Sequence, residues 1–137
     1  MFSRILFIVG EKPEDRFFVM ELAKTHGSCV LLTALITGED PEREKTEGAT
    51  HRKVLLEDRE RTSWQYLYRL EEQFKAAGIK SSVMAQKGTV ADVETLAHNT
   101  HSDLIVIGAS SLADTNYHLP DEFIPHLPCP IIILPTA

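Results

Sequence analysis

The segment 108–111 reads Gly-Ala-Ser-Ser and brings a glycine and two hydroxyl side chains directly after an apolar run. A glycine lets a ligand approach the backbone closely, and amide and hydroxyl groups can donate hydrogen bonds to an anion or a nucleoside. A plain polar turn has the same composition, so both interpretations stay open at this point. Gly108, Ser110 and Ser111 are the first candidate ligand-binding residues.

Two pairs of histidines could bind a metal or respond to pH. His98 and His101 are three residues apart and could share a helix face, but two ligands do not make a zinc site. His118 and His126 could titrate near neutrality. We interpret all four as surface or packing residues, and we expect no metal site.

The two cysteines are Cys29 and Cys129, and neither has the sequence context of a nucleophile. Cys129 lies between two prolines before the apolar run 131–134, without an adjacent base or cation, and Cys29 begins another apolar run. Both are interpreted as small packed residues. The sequence also contains no G-x-S-x-G and no G-x-x-x-x-G-K-[ST] motif. We therefore expect no catalytic residue and no enzymatic activity.

The elements that position these residues alternate between strands and helices. Short apolar runs predict strands at 4–9, 29–36, 103–107 and 131–134, and a loose alternation predicts an edge strand at 79–86. Spacings of three and four residues between apolar side chains predict three helices. The first ends at Gly27 and buries Phe18, Val19, Leu22 and Ala23; the second lies within 55–77 and buries Trp64, Leu67, Leu70, Phe74 and Ala77. The third is capped by Thr89 and buries Val90, Val93, Leu96 and Ala97. A short helix is expected before the last strand. This alternation predicts an α/β fold: a parallel sheet with helices on both faces.

The segment 38–53 is strongly polar and separates the second strand from the second helix. We predict a mobile loop here. Its charges make it a candidate partner-binding or regulatory loop, although solvation alone would explain them.

Composition limits the class of protein. The 137 residues, 43% of them apolar, predict a single domain over 1–137. A formal net charge of −6 disfavours nucleic-acid binding. No apolar run approaches the roughly 20 residues that cross a bilayer, and the first ten residues do not resemble a signal peptide. Two distant cysteines without a C-x-x-C motif favour a reducing compartment, so we expect a cytoplasmic protein without membrane contact.

Several segments, in this order, resemble the universal stress protein family. They read RILFIV, CVLLTALI, AAGIKSSVMAQKGTVADVETLA and, most specifically, DLIVIGASS followed by LPCPIIILP. The resemblance extends from about Ser3 to Pro135. It implies a three-layer, Rossmann-like sandwich with a five-stranded parallel sheet of order 3-2-1-4-5, and dimers formed through the last strand.

The resemblance also implies an ATP site, from which this sequence departs. Family members have an acidic residue at the end of the first strand, where this chain has Gly10, and a G-x-x-G loop, in which Ser111 replaces the second glycine. The later Gly-Ser pair is replaced by NYHLPDEF, and the loop is about four residues shorter. Pro120 lacks an N–H group, while Asp121 and Glu122 would repel phosphate. We therefore predict that the usual ATP binding is lost or weak, and we expect no cofactor.

Part of a site could survive at the carboxyl ends of the strands, where open α/β sheets usually bind ligands. The candidate residues are Gly10, Ala34, Ile107, Gly108, Ser110 and Ser111. These residues could form a smaller remaining site for ATP or AMP, or they could belong to a simple polar turn.

The last strand is the candidate dimer interface. In the order 3-2-1-4-5 it lies at a sheet edge, yet Ile131, Ile132, Ile133 and Leu134 carry no charge that would discourage pairing. A second copy could satisfy the open backbone groups across a two-fold axis; alternatively, the chain's own loops cover the edge.

Three functional hypotheses remain. The first is a non-enzymatic, dimeric stress-response module that acts through contacts with an unknown protein partner. The second is a sensor with a reduced adenine-nucleotide site, and the third is a weak nucleotide hydrolase. We favour the first, since no nucleophile, base or metal cluster can be named for the third.

Overall fold

The computed structural model describes residues 2–10, 12–36, 41–109, 111 and 127–135, and the side chains at 41–57 and 59 are outside this description. Its strands are β1 (Arg4–Ile8), β2 (Cys29–Ile36), β3 (Ser81–Lys87), β4 (Leu104–Gly108) and β5 (Ile131–Leu134). Its helices are α1 (Glu14–His26), α2 (Pro41–Ala76) and α3 (Val93–Asn99), with a 3₁₀ turn at Val90–Asp92 before α3. All paired strands are parallel, in the order β3-β2-β1-β4-β5, which confirms the predicted α/β sheet.

The two central strands are the most deeply buried. Ile5–Ile8 and the whole of β4 are buried, as the unbroken apolar runs predict for strands covered on both faces. A side chain fixes their alignment at the amino end. The carboxylate of Asp103 accepts the backbone N–H groups of Ser3 and Arg4, at 2.7 and 3.0 Å.

Helices cover both faces of the sheet. Alternate residues of β1 belong to different clusters: Ile5 and Phe7 pack with residues of α1 and α2, and Leu6 and Ile8 pack with residues of α3. Because successive strand residues point to opposite faces, the two clusters lie on opposite sides of the sheet. Leu67, Leu70 and Phe74 of the predicted α2 stripe are buried, as are all four residues predicted for α3.

Helix α1 ends where the sequence predicts, at Gly27, which has a left-handed φ of 64°. Its apolar face is narrower than predicted, however. Val19 and Ala23 are buried, but Phe18 is 41% exposed and Leu22 is half-buried.

The predicted loop over 38–53 is wrong for residues 41–53, because α2 already begins at Pro41. Glutamate, lysine, arginine and alanine are good helix formers even without an apolar stripe, and proline is well tolerated in a first helical turn. Residues 38–40 lie outside the described residues, as does the short helix predicted before the last strand. Across the described residues, no helix combines the length and the apolar character that a bilayer crossing requires.

Candidate functional site

A cleft of about 650 Å³ lies at the carboxyl ends of β1 and β2. We call it the strand-end cleft. Its walls come from the strand ends, from the amino-terminal part of α1 and from the middle of α2. The lining residues are Val9, Gly10, Pro13, Arg16, Ala34, Leu35, Thr62, Ser63, Tyr66 and Ser111.

Three of the predicted ligand-binding residues meet in this cleft. Gly10, Ala34 and Ser111 line it. Ile107 and Gly108 are buried in β4 and are not among its lining residues. Ser110 lies outside the described residues, so its proposed role stays a prediction. The carboxyl ends of the strands therefore do form a cavity, with fewer of the predicted residues at its surface than expected.

The polar residues of the cleft that the sequence did not reveal come from helices. Thr62, Ser63 and Tyr66 of α2 supply hydroxyl groups, and Arg16 of α1 supplies a positive charge. The sequence gives one weak indication of a role for Arg16, since it is the first basic residue of the helix that follows Gly10. For the α2 residues we find none, because only the packing of α2 beside α1 brings them to the strand ends.

Arg16 is the most informative of these residues. Its Nε atom is buried and has no hydrogen-bond partner among the described residues. The guanidinium carbon lies 4.9 Å from the centre of the Phe17 ring, which gives a cation–π contact but leaves Nε unsatisfied. A buried donor without a partner costs about 1–3 kcal/mol, so a ligand that accepts this hydrogen bond would recover that energy.

The charge balance of the strand-end cleft suits an anion. None of its described lining residues is an aspartate or a glutamate. Asp15, beside Arg16 in sequence, is buried, and desolvation raises the pKa of its carboxyl, with Lys12 acting in the opposite direction. The described lining combines one cation with several hydroxyls, an arrangement that can bind a small anionic ligand, and it includes no pair of nucleophile and base.

The histidines do not assemble into a metal site within the described residues. His98 and His101 are both exposed, and no group of three or more histidine, cysteine or acidic residues there could hold a metal ion. His118 and His126 lie outside the described residues.

The candidate dimer interface is the outer strand β5. It pairs with β4 on one side, and no described strand pairs with its other side. Ile131 and Ile132 are half-buried, Leu134 is buried, and Ile133 is 42% exposed. An uncharged aliphatic strand thus lies at this edge of the sheet.

Comparison with known proteins identifies the fold. No protein-family model matches the sequence, and no curated protein matches it significantly. Solved structures do match: a universal stress protein family member from Burkholderia pseudomallei has a TM-score of 0.76 and 17% identity, over 98% of this chain and 96% of that one. Universal stress protein UspA from Lactobacillus plantarum has a TM-score of 0.70 and 16% identity, over 96% and 97%.

A third match has a ligand. A universal stress protein family protein from Arabidopsis thaliana with AMP bound has a TM-score of 0.61 and 10% identity, over 98% of this chain and 92% of that one. At these low identities the matches show a shared fold. This chain has the Rossmann-like α/β fold of universal stress proteins.

Proposed function

We propose that this chain is a universal stress protein-like module that acts in stress response or regulation as a homodimer, through protein contacts and without the usual ATP binding. The observation that carries the proposal is the outer strand β5, whose aliphatic side chains include the exposed Ile133. The shared fold supports the stress-protein assignment, and the free cysteines Cys29 and Cys129 agree with a cytoplasmic location.

The physical argument for the dimer concerns the outer side of β5, with which no described strand pairs. An unpaired outer strand presents a row of N–H and C=O groups, and proteins usually protect such an edge with charges, prolines or a covering segment. β5 carries no charge along its four residues. Pairing with the β5 strand of a second copy satisfies the backbone groups and buries Ile133, and a two-fold axis closes the assembly at two chains.

The test is the mass of the particle in solution. Ile133→Lys places a charge in the proposed interface, so light scattering after size exclusion should find a dimer for the wild type and a monomer for the variant. Gln86→Lys is the matched control, because Gln86 is exposed on β3, the opposite outer strand. A monomeric wild type, or a dimer that Ile133→Lys leaves intact, would contradict the proposal.

The proposal of lost ATP binding rests on residues that differ from those of the ATP site that the resemblance implies. Gly10 lines the strand-end cleft where the resemblance implies an acidic residue, and Ser111 stands where it implies a glycine. A glycine has no carboxylate that could accept hydrogen bonds from a nucleotide, and a serine does not allow the close approach to the backbone that a glycine allows.

A second candidate function is a sensor that binds an adenine mononucleotide such as AMP in the strand-end cleft. The specific observation in its favour is Arg16, whose buried Nε has no partner among the described residues. A guanidinium can bind one phosphate group through two parallel hydrogen bonds. The AMP-bound Arabidopsis protein shares this fold, which adds support.

Calorimetric titration tests the sensor. AMP should bind to the wild type at least tenfold more tightly than to Arg16→Gln. The control variant is Arg69→Gln, which removes an exposed arginine of α2 that does not line the cleft. If AMP fails to bind to the wild type, or if Arg16→Gln binds it equally well, the sensor hypothesis fails while the dimer proposal stands.

We also propose that the chain is not an enzyme. The described residues of the strand-end cleft include hydroxyls but no histidine, cysteine or carboxylate that could activate them. Turnover of a nucleotide by the purified protein, abolished by a single substitution such as Ser63→Ala, would contradict this.

A further inference from the structure

A second cleft lies at the opposite edge of the sheet, where the strands begin. We call it the amino-edge cleft; its volume is about 280 Å³. The first residues of β1, β2 and β3 contribute to it, together with the turn before β4. The lining residues are Arg4, Ile5, Cys29, Val30, Leu31, Lys80, Ser81, Ser82, Thr100 and Ser102. None of the residues predicted to bind a ligand lies here.

The described lining of the amino-edge cleft contains two cations, Arg4 and Lys80, and no acidic residue. Nη1 of Arg4 donates to the carbonyl oxygen of Thr100 at 3.2 Å, which fixes the guanidinium beside the turn before β4. Its other N–H groups have no hydrogen-bond partner among the described residues, and neither Arg4 nor Lys80 forms an ion pair with a described carboxylate. The described lining of this cleft is therefore positively charged, although the chain as a whole has a formal net charge of −6.

The adjacent carboxylate does not neutralise the two cations by direct contact. Asp103 is the acidic residue next to the turn, and its two oxygens accept the backbone N–H groups of Ser3 and Arg4. It is therefore committed to holding the start of β1 against the start of β4. The two cations of the amino-edge cleft therefore have no direct ion-pair partner among the described carboxylates.

Hydroxyl groups complete the polar wall. Thr100 Oγ1 and Ser102 Oγ lie 2.7 Å apart and share a hydrogen bond, and Thr100 Oγ1 also lies 2.8 Å from the carbonyl oxygen of Leu96, to which it can donate. Ser82, on β3, is exposed. Leu31 is half-buried and contributes an apolar part of the lining.

We propose that the amino-edge cleft binds a phosphate-type oxyanion, either inorganic phosphate or a small phosphomonoester. A guanidinium can hold two phosphate oxygens at once and an ammonium adds a point charge, so Arg4 and Lys80 together match this ligand chemistry. The volume lies just below the usual 300–1,000 Å³ of small-molecule pockets, so the ligand is small. The proposal does not depend on the proposed function, because the two clefts lie at opposite ends of the strands.

Equilibrium dialysis with labelled inorganic phosphate tests the proposal directly. We expect one phosphate per chain at the amino-edge cleft, with an affinity roughly tenfold lower in Lys80→Gln, because the variant loses a charged hydrogen-bond donor to the anion. Lys87→Gln is the matched control, because Lys87 is exposed at the far end of β3. Arg16→Gln should leave this binding unchanged, which separates the two clefts.

Cys29 reports where the anion binds. It is exposed and lines the amino-edge cleft, so in a Cys129→Ser background its alkylation by neutral iodoacetamide should slow when phosphate occupies the cleft. Sodium chloride at equal ionic strength should not slow the reaction. Glycerol 3-phosphate distinguishes the two sources: protection at lower concentration than phosphate identifies a phosphomonoester, and weaker protection identifies the free ion.

The proposal is overturned if dialysis detects no bound phosphate, or if Lys80→Gln binds it as tightly as Lys87→Gln. It is also overturned if chloride protects Cys29 as well as phosphate does, because the effect is then general screening.

Discussion

The carboxylate of Asp92 accepts a hydrogen bond from the backbone N–H of Thr89 at 2.8 Å. In return, Thr89 Oγ1 accepts from the N–H of Ala91 at 3.3 Å, and the two side chains form a capping box at the turn that leads into α3. Four N–H groups at a helix start lack partners within the helix, so this exchange satisfies groups that would otherwise depend on water. It also positions α3, which covers one face of β1 and β4.

Removing the Asp92 carboxylate should destabilise the turn that leads into α3. We expect Asp92→Ala to lower the free energy of unfolding by about 1 kcal/mol, the usual effect of losing a helix cap. Urea unfolding followed by circular dichroism measures the change. The control is Thr95→Ala, at an exposed position within the same helix, which should change stability by no more than about 0.5 kcal/mol. Equal effects of the two substitutions would contradict the role of the cap.

The glycine before the cap should be harder to replace than the glycine that ends α1. Gly88 has φ 154°, and a Cβ there would collide with the Asp92 carboxylate, whereas Gly27 has φ 64° and open space around it. Gly88→Ala should therefore cost more than the roughly 1 kcal/mol expected for Gly27→Ala, because it combines backbone strain with loss of the cap. Urea unfolding of both variants gives the comparison, and a larger loss for Gly27→Ala would refute it.

Asp15 should make the free energy of unfolding decrease as the pH rises through the pKa of its carboxyl in the folded state. Desolvation raises the pKa of this carboxyl above its ordinary 3.8, so the folded state holds its proton more tightly than the unfolded state does. Its stabilising effect is complete below pH 3.8 and is lost as the pH rises through the higher folded-state pKa. Asp15→Asn cannot ionise, so its stability relative to the wild type should increase across this window.

Denaturant unfolding at a series of pH values measures this difference. Asp58→Asn serves as the control, because it replaces a carboxylate that is exposed on α2. A wild type that gains stability relative to Asp15→Asn as the pH rises would show that the sign is wrong.

The two thiols should differ in reactivity. Burial raises the pKa of Cys129, and the nearby negative charge of Asp103 raises it further, so its thiolate is scarcer near neutral pH. Cys29 is exposed. Mass spectrometry of partially alkylated protein at pH 8 should find Cys29 labelled several-fold faster. The difference should disappear in concentrated urea; a faster Cys129 in the folded protein would contradict the argument.

Strand positions could be predicted closely from the sequence because their apolar runs have clear ends. β2 and β5 coincide with the predicted 29–36 and 131–134, each bounded by residues that do not continue the run, such as Ser28 and Pro130. Thr89 can be predicted as a cap because its hydroxyl precedes an apolar helical pattern. These features depend on local sequence, where side-chain spacing and backbone preference agree.

Features that depend on packing between distant segments could not be predicted. The early part of α2 has no apolar stripe, so periodicity gave no reason to begin a helix at Pro41. Phe18 lies four residues before Leu22, a helical spacing, yet the direction in which α1 packs leaves Phe18 41% exposed. Arg16 and Tyr66 line the same cleft only because two helices lie side by side on one face of the sheet.

The most direct test of the account is a thermal-shift titration of the purified protein with ATP and magnesium, with AMP as a parallel series. A ligand that binds only the folded state stabilises it by about 2.7 kcal/mol at roughly a hundredfold excess over its dissociation constant. We predict that millimolar ATP does not raise the unfolding temperature, because the strand-end cleft has Gly10 where the resemblance implies an acidic residue. A clear, saturable shift with ATP would contradict the loss of the usual ATP binding and, with it, the proposed function.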